Sequence, residues 1–329
     1  MNKKAISLLS GGLDSALSTK LMLDQGIDVI ALNFTSPFSS KREKERGLQA
    51  VRTAKELGIR LMLKDKGPEY IDVIRSPRYG YGKNINPCID CRIFMLQKTK
   101  GIMAEEEASF VVTGEVLGQR PMSQRRDTIR VIEKASGLEG LIVRPLSAQH
   151  FQPTIPEEEG LIDRARLLDI AGRGRTKQYE LVEKYRLNEF GSPGGGCLLT
   201  DPIFSVKLKD LFAQSAGFTL KDIELLSVGR HFRLGPDTKL IVGRNEGENE
   251  KLLSLWEEPY VLFQPADFNG PTAILKGSLD SGTILVAASM LGHYGKQTSA
   301  TINIEVKRSG VTEARVFERA DIDPDDFRI

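Results

Sequence analysis

Three cysteines are the residues of this chain whose type and spacing most directly suggest chemistry. Two form a Cys88-x-x-Cys91 pair, and the third, Cys197, follows a run of glycines. Three cysteines cannot all pair with one another, so their number favours a metal site or catalytic thiols over structural disulfides. The pair alone is compatible with zinc, with a redox disulfide, or with a persulfide nucleophile and its resolving partner.

The choice among these chemistries depends on how many ligands are available. Structural zinc normally takes four protein ligands, but the chain has no fourth cysteine, and its three histidines lie outside these segments. Three thiolates that leave one iron open instead suit a 4Fe-4S cluster that binds an external sulfur. We predict that Cys88, Cys91 and Cys197 hold such a cluster. Persulfide chemistry at Cys91 and Cys197, and zinc or a structural role, are the alternatives.

A second chemical signal is the hexapeptide SGGLDS at residues 10–15. The apolar run Ala5–Leu9 predicts a buried strand before it, and Ala16–Asp24 predicts a helix after it. Adjacent glycines let the backbone approach a ligand, and the N–H groups at the start of a helix favour phosphate. An ordinary tight turn is the alternative. The predicted phosphate ligands are Ser10, Gly11, Gly12 and Ser15, with Asp14 orienting Mg²⁺.

Strand and helix patterns alternate through the first part of the chain. Val29–Phe34 predicts a second strand and Phe110–Thr113 a later one, with helical segments between them. This alternation predicts an α/β fold with a doubly wound parallel sheet, in which ligands bind at the carboxyl ends of the strands. Asn33, Phe34 and Gly114 end or follow these strands and are predicted nucleotide contacts. Simple strand-end packing is the alternative for the first two.

Further helices are predicted around the remaining signals. A helix over Arg92–Glu107 places the cysteine pair at or near its N-terminus, where the helix end stabilises a thiolate. Helices are also predicted over Glu157–Ile170 and Lys177–Tyr185, with a basic connector at residues 172–177 that either binds phosphate or is a solvated loop. The glycines at 194–196 suggest close approach to a ligand or a flexible linker.

Several segments together resemble one group of enzymes. SGGLDS matches the PP-loop of the ATP pyrophosphatases, which grips the pyrophosphate released when ATP adenylates a substrate oxygen. VVTGEVLGQ at 111–119 and RPL at 144–146 are similar to segments of tRNA 4-thiouridine synthetase, and NPCIDC at 86–91 resembles the NPxxxC segment of tRNA 2-thiouridylase. This resemblance covers roughly residues 1–200. It implies an adenine nucleotide alpha hydrolase-like fold, and ATP, Mg²⁺ and tRNA as ligands.

The resemblance also implies roles for individual residues. In the cluster-free 2-thiouridylases an aspartate occupies the position of Cys88, and the counterparts of Cys91 and Cys197 form a catalytic pair. Cys88 instead completes the three-cysteine pattern of the cluster-dependent tRNA thiolases. By this similarity the cysteines hold a 4Fe-4S cluster, and the catalytic residues are Cys91, Cys197 and Asp14.

From about residue 202 the alternation gives way to short segments separated by Gly, Pro and Asn turns. This change predicts a second, smaller α+β domain, with residues 1–203 as the catalytic domain and 204–329 as an RNA-binding domain. HFRLGPDTKLIVGRNEGENEKL at 231–252 and ASMLGHYGK at 288–296 resemble the RNA-binding domain of the NFACT proteins of ribosome quality control. Side chains of this domain that could contact phosphate are Arg230, His231, Arg233, Lys239 and Arg244.

The net charge of +2 neither demands nor excludes a nucleic-acid partner, so RNA contacts must come from local clusters. No apolar run approaches the ~18 residues of a membrane helix, and no secretory signal is recognisable. We therefore expect a cytoplasmic protein without a membrane partner. The catalytic-domain arginines predicted to contact RNA are Arg120, Arg125, Arg126, Arg173 and Arg175.

These features predict an ATP-dependent tRNA sulfurtransferase that adenylates a uracil oxygen and then replaces it with sulfur. Its partners are tRNA and a sulfide or persulfide donor, and a second copy in a homodimer is a further partner to test. One alternative is a PP-loop enzyme that amidates or ligates a small substrate, which leaves the cysteines without a purpose. Another is an RNA-binding protein whose PP-loop only senses nucleotide, although retention of Asp14 and Ser15 speaks against it.

Overall fold

The computed structural model describes residues 1–39, 41–191, 197–214 and 217–329. Within it the chain divides into two compact units, Met1–Thr200 and Asp201–Ile329. The glycines at 194–196, for which the sequence suggests a ligand contact or a linker, lie outside the described residues.

The first unit alternates strands and helices along the chain. Its strands are β1 (Lys4–Leu8), β2 (Asp28–Thr35), β3 (Leu61–Asp65), β4 (Phe110–Thr113) and β5 (Ile142–Val143). Its helices are α1 (Leu13–Leu23), α2 (Lys41–Glu56), α3 (Tyr70–Arg75), α4 (Cys88–Glu105), α5 (Arg126–Ser136), α6 (Ile155–Glu158) and α7 (Thr176–Tyr185).

The described strands of this unit form a parallel sheet in the order β3-β2-β1-β4-β5. Neighbouring residues of β1 enter different cores, since Ala5 packs with α1 on one face and Ile6 packs with α4 on the other. Side chains of successive strand residues point to opposite faces, so both faces of the sheet are covered by helices. The predicted doubly wound α/β fold is confirmed.

Several helix boundaries differ from the sequence-based predictions. The helix predicted over Glu157–Ile170 is wrong: α6 is short, Gly160 follows it with a φ of 69°, and a 3₁₀ turn, Arg164–Arg166, comes next. The glycine in the left-handed region terminates the helix. In addition, α4 begins at Cys88, earlier than predicted, so the cysteine pair lies within the helix.

The second unit combines an antiparallel sheet with helices. Its helices are α8 (Pro202–Gln214), α9 (Leu220–Leu225), α10 (Glu246–Leu255) and α11 (Ser281–Tyr294). Its strands are β6 (Arg230–Gly235), β7 (Thr238–Val242), β8 (Val261–Pro265), β9 (Ala273–Lys276), β10 (Thr301–Arg308) and β11 (Val311–Glu318). The sheet order among the described residues is β11-β10-β8-β9-β7-β6, which confirms a second, smaller α+β unit.

The buried side chains of the second unit form separate clusters on the two faces of its sheet. One cluster includes Ala287 and Leu291 of α11, and the other includes Leu252 of α10 and Leu225 of α9. Among the described residues, no helix combines the length and the apolar character needed to cross a membrane.

Candidate active site

A cavity of about 380 Å³ in the first unit opens where β1, β2 and β4 end. The chain connects β1 to β2 on one side, while β4 lies on the other, so the direction of winding changes between β1 and β4. Such switch points are where doubly wound sheets bind nucleotides. All residues of the hexapeptide at 10–15 except Gly11 line this cavity, as do all three cysteines. The structure therefore brings both chemical signals of the sequence into one pocket.

The turn between β1 and α1 has a backbone suited to an anion. Gly11 has a φ of 75°, which strains residues with a side chain. The Ser15 hydroxyl donates to the carbonyl oxygen of Gly12 at 2.8 Å and accepts from the N–H of Ser10 at 3.2 Å. No side chain caps α1 at Gly12, so its first N–H groups remain for an anion. Ser10, Gly12 and Ser15 line the cavity, and Gly11 forms the turn.

Asp14 is oriented by two amide side chains. Its carboxylate accepts from Nε2 of Gln119 at 3.2 Å and from Nε2 of Gln178 at 3.3 Å. Burial raises the pKa of Asp14 above its ordinary value, although Arg175 and the two amides act in the opposite direction. Sequence reasoning missed Gln178, which comes directly after the basic connector in the chain and meets Asp14 only through tertiary packing. Its Oε1 is buried and has no hydrogen-bond partner in the described structure.

The predicted nucleotide contacts Asn33, Phe34 and Gly114 all line the cavity, but they differ in what they do. Asn33 donates from Nδ2 to the carbonyl oxygen of Leu9 at 2.8 Å, so it joins the ends of β2 and β1. A Cβ on Gly114 would lie 2.5 Å from the backbone nitrogen of Ser15. Gly114 is therefore required by the close approach of β4 to the start of α1, independently of any ligand.

All three cysteines line this cavity. Among the described residues, no three Cys, His, Asp or Glu side chains are arranged to hold a single metal ion. A 4Fe-4S cluster distributes its thiolates over different irons, so it does not require that geometry. The donor set present, Cys88, Cys91 and Cys197 lining one cavity, fits such a cluster with one iron lacking a protein ligand.

The electrostatics of the cysteine pair differ from the sequence-based expectation. Cys88 is the first residue of α4 and Cys91 lies one turn later, so only Cys88 is at the helix end. Burial raises the pKa of Cys88, Cys91 adds to the rise, and Arg120 opposes it. Desolvation of the charged form therefore acts against the thiolate that the helix end was predicted to stabilise at Cys88.

Lys66 and Tyr70 accompany Cys91, and sequence reasoning missed both. Lys66 Nζ lies 3.3 Å from Cys91 Sγ and 4.3 Å from the centre of the Tyr70 ring. Tyr70 is buried between Phe38 and Phe94. Burial raises the pKa of Tyr70 well above its ordinary value, and the cysteines reinforce the shift. A positive charge and a neutral hydroxyl therefore face the sulfur atoms.

A buried ion network supports the cavity beneath the cysteine helix. The Glu115 carboxylate forms ion pairs with Nε of Arg144 and with Nε of Arg92, each at 2.9 Å. Arg144 also pairs with Glu133. Burial by itself raises the pKa of Glu115, but Arg92 and Arg144 outweigh it and hold the pKa below its ordinary value. The network joins α4, the loop after β4, and the end of β5. Removing one partner of such a network leaves a buried charge, which is strongly destabilising.

The arginines predicted to bind RNA are not one group. Arg120 and Arg175 line the cavity, and both act on Asp14 electrostatically. Arg125 is exposed and pairs with Asp127, whereas Arg126 donates to the carbonyl oxygen of His150. Arg173 is exposed. The cavity arginines therefore face the PP-loop, and the other three face outward.

The basic residues singled out in the second unit are mostly unavailable. His231 and Lys239 are 1% and 6% exposed, and Arg233 and Lys239 share the carboxylate of Asp210. Burial and the neighbouring lysines lower the pKa of His231 well below its ordinary value. The hypothesis of a phosphate contact is wrong for His231 and Lys239, because their strands place them in the interior. Arg244 is exposed but pairs with Glu248.

Comparison with known proteins gives matches for both units. Residues 1–152 match the family model described as thiamine biosynthesis protein (ThiI), and residues 229–328 match the NFACT protein RNA binding domain. The chain is 33% identical over 144 residues to a probable tRNA sulfurtransferase of Geobacillus kaustophilus, covering 44% of this chain and 34% of that protein. It is 30% identical over 129 residues to the tRNA-specific 2-thiouridylase MnmA of Clostridium acetobutylicum, covering 35% and 36%. The chain thus spans about a third of the length of these relatives.

Solved structures similar to this chain include a 4-thiouridine synthetase in complex with RNA and ATP, at 23% identity. That match covers 68% of this chain and 52% of the other, with a TM-score of 0.37. The U34-tRNA thiolase NcsA of Methanococcus maripaludis matches over 68% of this chain and 72% of its own, at 18% identity and a TM-score of 0.33. Both resemblances noted in the sequence are confirmed by the family matches: residues 1–152 of the first unit are similar to the ThiI family, and residues 229–328 of the second are similar to the NFACT protein RNA binding domain.

Proposed function

We propose that this protein is an ATP-dependent tRNA sulfurtransferase that converts a uridine of tRNA to a thiouridine. The observation that carries the proposal is the convergence of an anion-binding turn and three cysteines on one cavity of about 380 Å³. A phosphate cradle alone would serve many ATP-dependent reactions. Thiols beside it supply the sulfur chemistry that tRNA thiolation requires, which is the activity named for the relatives of the first unit.

In the first half of the reaction, ATP binds with its phosphates at residues 10–15. The carbonyl oxygen of the target uracil attacks the α-phosphorus of ATP, an O–P bond forms, and the bond to pyrophosphate breaks. The N–H groups of the α1 N-terminus and the hydroxyls of Ser10 and Ser15 hold the departing pyrophosphate. Asp14, which Gln119 and Gln178 orient, positions the Mg²⁺ that accompanies the nucleotide.

The cavity arginines have a specific place in this step. Arg120 and Arg175 face the PP-loop, and Nε of Arg175 is buried without a hydrogen-bond partner in the described structure. A guanidinium with free donors opposite an anion cradle suits a polyphosphate. We therefore assign both arginines to the phosphates of ATP, and keep Arg125, Arg126 and Arg173 as contacts to tRNA.

In the second half, a sulfur nucleophile attacks the activated carbon of the uracil ring, the C–S bond forms, and AMP leaves with the former carbonyl oxygen. Cys88, Cys91 and Cys197 would hold a 4Fe-4S cluster, which would supply an open iron for binding sulfide from an external donor. Lys66 places its positive charge against the Cys91 sulfur, and Arg120 and Arg92 offset the negative charge around Cys88. With sulfide as nucleophile, no net oxidation or reduction occurs.

The second unit would bind the tRNA substrate, as its match to an RNA-binding domain suggests. The target base must leave its stack to reach a cavity of this kind, as chemistry on a nucleobase generally requires.

The test is to incubate the protein, prepared without oxygen, with ATP, Mg²⁺, sulfide and tRNA lacking thiolation. We expect release of pyrophosphate that depends on tRNA, together with thiouridine detected by mass spectrometry of the nucleosides. Pyrophosphate release without thiouridine would favour a ligase or amidating enzyme. No pyrophosphate release under any of these conditions would favour an RNA-binding protein that only senses nucleotide.

A further inference from the structure

The strand β11 presents an open edge in the second unit. It ends the sheet order, and in the described part of the chain its pairing runs along β10 alone. Residues 311–316 are all exposed, including Val316, which is 70% exposed. An edge strand of this length offers a row of backbone donors and acceptors to another strand.

The hairpin turn determines which backbone groups point outward. Ser309 and Gly310 connect β10 to β11, and both have positive φ values, 51° and 74°, as in a two-residue type I′ turn. Such a turn makes Arg308 and Val311 a hydrogen-bonded pair, and the pairs then alternate along the hairpin. The backbone N–H and C=O groups of Val311, Glu313 and Arg315 therefore face β10. The N–H and C=O groups of the residues between them, Thr312, Ala314 and Val316, therefore point away from the sheet.

The side chains of β11 are complementary to β11 itself. In a symmetric antiparallel pair, the two-fold axis passes midway between one residue and the same residue of the second copy, and these two residues are directly opposed. An axis at Glu313 would place the two copies of this glutamate opposite each other, and an axis at Arg315 would do the same with two arginines. Centring on Ala314 places Glu313 opposite Arg315 of the second copy, and the reverse, while Thr312 meets Val316.

We propose that two copies of this chain associate through β11, in an antiparallel pair centred on Ala314 that joins the two sheets into one. Three outward-facing residues of each copy exchange backbone hydrogen bonds. Glu313 and Arg315 already pair within the strand, with Nε of Arg315 at 3.0 Å from Oε2 of Glu313. In the dimer these four charges form one network across the symmetry axis. The exposed side chain of Val316 is covered at the same time.

The charges of Glu313 and Arg315 indicate that the strand paired with this edge is β11 of a second copy. Each copy supplies a carboxylate and a guanidinium in the order that its partner requires, so the interface is isologous. An unrelated strand would have to reproduce this order. The pairing uses residues of the second unit, none of which lines the cavity of the first unit, so its failure and the failure of the proposed function are distinguishable.

Charge reversal tests the pairing in the full chain. Glu313→Arg and Arg315→Glu each place like charges opposite one another twice, and we expect each to weaken dimerisation at least about 10-fold. The double variant E313R/R315E restores opposite charges and should restore the dimer. Glu250→Arg, an equal charge change at an exposed residue of α10, is the matched control and should leave association unchanged. Sedimentation equilibrium measures all five proteins.

A cysteine placed on the axis tests the register. Ala314→Cys should form an intermolecular disulfide on oxidation, identified by mass spectrometry of the linked 314 peptides, because the two Cα atoms of a directly opposed pair lie ~5.5 Å apart. Thr312→Cys lies away from its own counterpart and should not. A wild-type chain that stays monomeric, or a dimer that survives both single charge reversals, would overturn the proposal.

Discussion

At the scale of single residues, the role that we propose for Asp14 depends on the side chains around it. It follows the glycine turn directly, yet its orientation comes from Gln119 and Gln178 on two distant segments. Burial raises its pKa, and Arg175 works against that rise. A carboxylate held in this way can place a metal ion beside the phosphates that we propose the turn binds.

We expect Asp14→Asn to reduce pyrophosphate release at least about 100-fold, because the variant keeps the shape of the side chain but loses the charge that orients Mg²⁺. The measurement is tRNA-dependent pyrophosphate release at saturating ATP, with circular dichroism to check folding. Asp127→Asn, at an exposed position, serves as the control. Normal ATP cleavage by the Asp14 variant would remove this residue from the mechanism.

Replacing the sulfur atom of Cys88 by oxygen distinguishes cluster chemistry from persulfide chemistry. If the three cysteines hold a cluster, Cys88→Ser in protein prepared without oxygen should lose most of its iron and its broad visible absorption, and thiolation should stop. If Cys91 and Cys197 instead form a persulfide pair, Cys88→Ser should keep thiolation, while Cys91→Ser and Cys197→Ser abolish it. Iron analysis, absorption and thiouridine yield separate these results. Iron-free wild-type protein with full activity would disprove the cluster.

Lys66 places a positive charge next to the sulfur atom of Cys91. Its Nζ lies 3.3 Å from Cys91 Sγ. We expect Lys66→Met to lower the thiolation rate by roughly 10-fold, as removal of an outer partner of a metal ligand commonly does. Pyrophosphate release should stay unchanged, because the PP-loop is intact. Lys64→Met on β3 is the matched control, and equal loss in both variants would count against a role for Lys66.

At the scale of secondary-structure elements, the start of α9 shows how a local motif is tied to the sheet. Thr219 and Asp222 form a reciprocal cap, and the Asp222 carboxylate also accepts from Lys276 Nζ at 2.7 Å and from the Tyr260 hydroxyl at 2.9 Å. Burial by itself raises the pKa of Asp222, but Lys276 and the cap outweigh it and lower the pKa below 3.8. One carboxylate thus anchors α9 to β9.

This arrangement predicts a pH-dependent stability. A lowered folded-state pKa stabilises the fold fully above the unfolded value of 3.8, and the contribution is lost as the pH falls through the lower folded-state pKa. Asp222→Asn should therefore cost about 2 kcal/mol near neutral pH, as hydrogen bonds to a charged group commonly contribute, and progressively less in acid. Urea unfolding across this range measures the difference, with Asp267→Asn as an exposed control. A cost that does not change with pH would show that the charge of Asp222 is irrelevant.

At the scale of the whole molecule, the two units have separate hydrophobic cores. The clusters around α1 and α4 belong to the first unit, and those around α11 and α10 belong to the second. A compact unit with its own core can in principle fold alone. The division of labour that we propose can therefore be tested by separating the units.

A shortened chain ending at Thr200 should bind ATP as the full chain does and lose most of its tRNA affinity. The full chain's affinity should fall steeply with salt, because RNA binding rests largely on phosphate contacts. Filter binding at several salt concentrations, with ATP binding as the folding control, measures both. Equal tRNA affinity in the two chains would assign RNA recognition to the first unit.

The features that the sequence alone determined are those encoded in neighbouring residues. Alternating apolar runs predicted the strands of the parallel sheet, and SGGLDS predicted the turn at the end of β1, since its glycines and the following helix are contiguous. A hydrophobic period reports which face of an element is buried, and a glycine reports a local backbone conformation. The family resemblance depended on the same contiguous segments.

The tertiary structure decided which distant residues meet and which polar residues are buried. Lys66 contacts Cys91, and Gln178 contacts Asp14, although no spacing in the sequence predicts either contact. Conversely, His231 and Lys239 look like surface bases but point into the interior of the second unit. Packing between elements sets these contacts, and the energy of burying or pairing a charge depends on all the surrounding side chains. Local sequence patterns carry no record of those neighbours, because the fold brings them together from separate parts of the chain.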